Sequence, residues 1–276
     1  MGEKRPHYLV SSFDSWAEQL QESAVCTYLY GYLNYLKAKS VLFEERYIDK
    51  DFLIDYSNYY ARSFKDYSKF TNRLHFFSEP FSDEEIKNLI ETGNANTYEK
   101  LSESYLGFIV LKPIDDCNGC RLIGRTILKT YPTLDGDDSR FFITAKNQVS
   151  LFGMPLEIES LPFQTQDGGA GACASTACWV CQYPLGEKFG TPLYSLYEVT
   201  NKSIAFPNMN RNFPSSGLTL WQIKAYYNSI GLDTEFIHLD NVQTIPGDIV
   251  ADAVRAYSNV NYPPLTQGAC SEDLME

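Results

Sequence analysis

Histidine is scarce in this chain: three residues in 276, at positions 7, 75 and 238. Chemistry that needs an imidazole base or a histidine-rich metal site has little to draw on. Basic residues are also short, 23 Lys and Arg against 35 Asp and Glu, and the acids are spread along the chain. The resulting charge of −12 repels a phosphate backbone and an anionic bilayer, so neither nucleic acid nor a membrane is an expected partner. No apolar run is long enough to span a bilayer, and none follows the basic residues near Met1, so no membrane helix or secretory signal is expected. Internal repeats and low-complexity linkers are absent too. The seven cysteines are odd in number and scattered, which suits reduced thiols in a cytoplasm better than a disulfide framework.

What is present is the material of a globular α+β protein. Twenty tyrosines and 17 phenylalanines imply extensive buried ring packing. Apolar residues at helical spacing run from Phe13 to about Phe43, and a second helical stretch covers Lys50 to Phe64. Ser82 followed by Asp83, Glu84 and Glu85 reads as a capped helix start. Tyr105–Pro113 and Arg125–Tyr131 are strand-like, as are Phe141–Ala145, Val149–Phe152 and Pro155–Glu159, with turns expected at Lys146–Asn147 and Gly153. A boundary near Leu161–Pro162 divides an N-terminal helical and β region, residues 1–160, from a second domain, 161–276. In the latter, helices are expected from Cys173 to Gln182, ended by Pro184 and Gly186, from Thr219 to Gly231, and after Pro246. Thr234–Leu239 is expected as a strand.

Cys173 carries the clearest chemistry. It follows Gln164, Gln166 and the small residues Gly168, Gly169, Ala170, Gly171 and Ala172, and stands at an expected helix start. A helix N-terminus favours the thiolate over the thiol, because unpaired N–H groups and the macrodipole stabilise negative charge. Small residues let a substrate backbone approach the sulfur. A nearby glutamine can aim its amide N–H at a developing oxyanion.

With these features the chain resembles the papain-like cysteine peptidase superfamily, and within it the bacterial peptidases that remove double-glycine leaders from bacteriocins. Residues 217–237 look like that family's second helix and following strand, and Tyr262-Pro-Pro-Leu265 like the strand before its catalytic histidine. The resemblance spans about 161–265. It implies that Cys173 is the nucleophile and Gln166 the oxyanion donor, with Gln164 as a substitute, acting through an acyl-enzyme on a peptide or protein. Gln166 stands one residue further from the cysteine than is common, so the loop must bulge. The family's histidine and Asp or Asn have no match between Leu265 and Glu276, which implies a shortened chain, a sheet completed by the N-terminal strands, or a domain that is not a working peptidase. The main alternative is a non-catalytic module that binds peptides in the same groove, and a third class, ranked below it, is a structural zinc protein.

Three further features carry a functional and a structural reading side by side. His75, flanked by Leu74 and Phe76, and His238, in the expected strand, are candidate bases but read more simply as structural histidines; His7 is close to the terminus. Cys117/Cys120 and Cys178/Cys181 have zinc-site spacing, yet the second pair falls on the buried face of an expected helix, so no metal or other cofactor is expected. Asp135-Gly-Asp-Asp138 has too few ligands for a calcium loop and reads as a solvated turn.

Overall fold

The computed structural model describes residues 8–16, 24–115, 119–131, 142–166, 173–204, 218–236, 247–260 and 262–265. His7, Cys117, the turn at 135–138, the glycine-rich loop 167–172, Gly217 and His238 lie outside them.

The order is β1 (Tyr8–Ser12), α1 (Phe13–Trp16), α2 (Ala24–Tyr35), β2 (Ser40–Tyr47), α3 (Lys50–Asn58), a 3-10 turn (Tyr60–Arg62), β3 (Thr71–Phe77), α4 (Asp83–Thr92), α5 (Ala95–Glu103), β4 (Tyr105–Asp115), β5 (Arg121–Ile123) and β6 (Ile127–Leu128). It continues with β7 (Ala145–Leu151), β8 (Met154–Ser160), α6 (Cys173–Phe189), α7 (Leu196–Ser203), α8 (Leu220–Ser229) and α9 (Gly247–Asn259). The chain is therefore α+β. An antiparallel sheet runs β1-β2-β3-β4-β5, β6 shares the β4 edge with β5, and β7–β8 form a separate hairpin.

Strand alternation divides the sheet's side chains between two layers. On one face Val41, Leu74, Phe76, Ile109 and Leu111 pack against Leu29 and Leu33 of α2. On the other, Leu42, Phe77, Phe108 and Val110 meet Ile86 and Leu89 of α4, Leu101 of α5, and Val149, Leu151, Leu156 and Ile158 of the hairpin. Gly107 makes the close approach of β6 possible. Its φ is 121°, and a Cβ there would lie 2.1 Å from the Ile127 carbonyl oxygen.

Several local signals act as expected. Ser82 and Glu85 close a capping box on α4, and Thr219 and Gln222 one on α8. Gly231, with φ 84°, ends α8, and the Leu232 N–H returns to the Tyr227 carbonyl. Elsewhere tertiary pairing overrides local pattern. The helical stretch expected through Phe43 stops at Tyr35, because Ser40–Tyr47 finds strand partners on both sides in β1 and β3. Of Arg125–Tyr131 only Ile127–Leu128 pairs as strand. Lys146 and Asn147 are not a turn but the interior of β7, whose alternating burial continues through them to the Phe152–Gly153 turn. Among the described residues after Cys173 there is no strand. The described part of the expected strand, Thr234–Phe236, is not a strand and lies against α8, where Phe236 meets the Trp221 ring at 5.9 Å; residues 237–239 lie outside the described residues.

Helix α6 passes through Pro184 and Gly186 to Phe189. Proline there loses one helical hydrogen bond, but Cys178, Trp179, Cys181, Gln182, Tyr183 and Leu185 around it are all buried. Tertiary burial of that density outweighs a single missing bond. Gln182 ties the neighbours down: its amide N–H donates to the Tyr194 carbonyl at 2.7 Å, and its oxygen accepts from the Tyr194 N–H and the Tyr226 hydroxyl.

Candidate functional site

Cys173 is the first residue of α6 and is exposed. Its thiol donates to Gln166 Oε1 at 2.9 Å. Gln166 is placed by the sheet edge: Phe163 and Thr126 exchange backbone hydrogen bonds of 2.7 Å, and Thr165 N–H donates to the Ile123 carbonyl at 3.0 Å. At the other side, Ser175 and Thr200 hydroxyls lie 2.9 Å apart and join α6 to α7. The thiol and the Gln166 amide are thus together, while the substitute Gln164 is buried. An amide oxygen orients the S–H but is far too weak a base to take its proton.

His75 is not beside Cys173. It is fully buried in β3, with Nδ1 3.0 Å from the Tyr105 hydroxyl and Nε2 3.5 Å from Glu44 Oε2. Burial lowers its pKa to about 4, against the smaller opposing effect of Glu44, so it is neutral near pH 7. The structural reading of this residue is the one its surroundings favour. Cys178 and Cys181 lie in the core, where burial pushes both thiols up to about 12 and Tyr227 bonds them. They are protonated thiols on a helix interior, unlike the thiolates of a zinc knuckle. Among the described residues no three His, Cys, Asp or Glu side chains are grouped to hold a metal ion. Nor is any helix among them long and apolar enough to cross a membrane.

The sequence reading missed a buried charge cluster between α3, the sheet and the helices α6 and α7. Asp49 caps α3 through the Phe52 N–H, and its other oxygen is 3.3 Å from Arg125 Nη2. Asp51 and Asp55, one helical turn apart on α3, face the C-terminal helices. Asp51 accepts from Trp179 Nε1 at 3.3 Å, and Asp55 from the Tyr197 backbone N–H at 3.1 Å. Lys112 of β4 is buried beside them. Burial raises Asp51 to about 6, with Asp49 adding and Arg125 opposing, and raises Asp55 to about 7 against Lys112 and the Tyr197 N–H. Acidic residues at helical i, i+4 spacing are ordinarily solvated, and nothing local marks this pair as buried.

An ordinary aspartate titrates near 3.8 and folded Asp55 at about 7, so the folded state binds the proton more tightly. The stability from that proton is complete below pH 4 and is lost as pH rises through 7. Asp55→Asn should therefore gain stability relative to the parent between pH 4.5 and 8, by about 2–4 kcal/mol. Urea midpoints of the pair across that range measure it; a difference independent of pH refutes the assignment.

A second omitted group lies on the sheet face under the hairpin. Arg73 bonds Glu44 at 2.8 Å and the Ser150 carbonyl at 2.7 Å, and lies 3.9 Å over the Tyr47 ring. With Arg125, Phe108, Ile127 and the hairpin residues 147–150, Phe152 and Gly153 it lines a pocket of about 380 Å³. No family model, curated protein or solved structure matches this chain.

Proposed function

We propose that the chain is a cysteine-peptidase-like protein in which Cys173 attacks a peptide amide. The observation that supports this is the exposed thiol at the first turn of the 17-residue helix α6, held 2.9 Å from Gln166. Helix N–H groups favour the thiolate. Gln166 serves in this reading as the oxyanion donor, which requires its amide to turn the N–H₂ toward the substrate carbonyl, since its Oε1 accepts the thiol hydrogen in the structure. The sulfur bonds the carbonyl carbon, and collapse of the tetrahedral intermediate breaks the C–N bond and releases the amine with a proton. Water then cleaves the thioester to a carboxylic acid and the free thiol. A reducing cytoplasm keeps such a thiol competent, and the substrate class is a peptide or protein.

A second reading has its own support. The one described histidine, His75, is locked in the sheet core, so the described residues place no imidazole at Cys173. That favours a module in which the surface beside Cys173 binds peptides without cleaving them.

Iodoacetamide alkylation of Cys173, followed by mass spectrometry across pH 5–9, separates the two. An ordinary thiol slows by about tenfold per pH unit below its pKa, whereas an activated one keeps its rate to pH 6. Gln166→Ala should slow acylation by a peptide ester by about 10²-fold. An ordinary pH profile at Cys173 removes the enzyme reading.

A further inference from the structure

Helix α2 carries no charged residue over its 12 positions, in a chain where 21% of residues are charged. One face of it is accounted for, since Leu29 and Leu33 are buried against the sheet. The opposite face is not. Tyr28 and Tyr35 are 60% and 43% exposed, and Gly31 lies between them on the same row of the helix. A Cβ at Gly31 would meet nothing within 4 Å, so the fold of a single chain does not call for glycine there. Glycine inside a helix costs stability relative to any residue but proline. Tyr32 and Tyr131 continue the surface: the Tyr28–Tyr32, Tyr32–Tyr131 and Tyr35–Tyr131 ring centroids are 6.2, 4.5 and 5.1 Å apart. The Tyr32 hydroxyl donates to the Lys129 carbonyl, which holds that ring in place.

We infer that this face docks on the same face of a second copy of the chain, with α2 crossing α2 at Gly31 about a two-fold axis. A notch flanked by two ridges on one uncharged row is self-complementary, as a two-fold contact requires. The absent side chains at the two Gly31 positions let the helices approach closely, and the tyrosines on either side pack around the crossing. Tyrosine is a frequent anchor of such interfaces. Charge favours the same occupant. Two bodies of net charge −12 repel each other least where both surfaces are uncharged, whereas a basic partner is drawn to carboxylates that α2 does not have. One face of a helix about 18 Å long presents less than the roughly 800 Å² per partner of a stable complex, so the dimer is a weak one, with a Kd on the order of 10–100 µM. The contact is independent of the chemistry at Cys173.

Sedimentation equilibrium of the full chain from about 1 to 500 µM tests this, with a reductant present so that the exposed Cys173 cannot link copies. A monomer–dimer equilibrium is expected, ending at the dimer because a two-fold contact closes. Raising the salt from about 0.05 to 0.5 M should tighten it several-fold, since screening removes repulsion between two acidic bodies. Gly31→Gln fills the notch without adding charge and favours the helix. It should weaken the dimer by about tenfold while the unfolding midpoint of the dilute monomer does not fall. Tyr35→Ala removes a flanking ring and should weaken the dimer by a similar factor. A monomer across the whole range, growth beyond the dimer, a dimer that loosens with salt, or parental affinity in either variant overturns the inference. The concentration and salt dependence of the unmodified chain decide the matter even if a variant does not fold.

Discussion

Replacing Lys112 with alanine is expected to destabilise the folded chain by about 3–5 kcal/mol at pH 8, because it removes the cation from three buried or nearly buried carboxylates. Lys112 is 2% exposed, and its stem packs on Gly124, where a Cβ would approach Cε and Cγ to 3.4 Å. Burial lowers its pKa while Asp55, Asp49 and Asp51 oppose that shift. The loss should shrink at pH 5, where Asp51 and Asp55 hold protons and leave less charge uncompensated. Urea denaturation of parent and variant at both pH values measures it. Combining Lys112→Met with Asp55→Asn should restore at least half of the lost stability, since the unpaired charge then disappears with its partner. A loss below about 1 kcal/mol at pH 8 would show that the cluster is solvated.

Trp179→Ala should cost a similar amount, about 3–5 kcal/mol, through a cavity that the neighbours cannot fill. The indole is wholly buried in α6, meets the Tyr183 ring edge-on at 5.3 Å, and packs among Cys178, Leu196, Val199 and Tyr226. It also donates to Asp51, so its removal deprives a half-buried carboxylate of a hydrogen bond. Trp179→Phe keeps most of the volume and should cost less than half as much. Because the Asp51 bond joins α3 to α6, the alanine variant should also release amide exchange protection in α6 and α7 ahead of the sheet. Parallel loss of protection in sheet and helices would mean that the two regions unfold as one unit.

Much of the local structure was legible. The capping residues of α4 and α8 and the glycine stop at 231 act through hydrogen bonds within a few residues, so sequence alone predicts them. The errors share one cause. Ser40–Tyr47, Lys146–Asn147 and Pro184 each follow a distant partner or a buried surface in place of their neighbours' pattern. At the candidate site, Cys173 and Gln166 were found because a helix start and a nearby amide are local features. Arg73, Arg125 and Glu44 were not, since they are brought together from three separate segments.

By itself the sequence determined the class of protein, the position of the thiol at a helix N-terminus and the ends of the capped helices. Each depends on composition or on interactions spanning a few residues. Only the tertiary structure decided that Asp55 and Lys112 are buried together with Asp51 half-buried beside them, that His75 is held away from Cys173, and that two arginines line one pocket. Desolvation and ion pairing between distant segments arise when the sheet, hairpin and helices close on one another, and no local pattern in the chain encodes them.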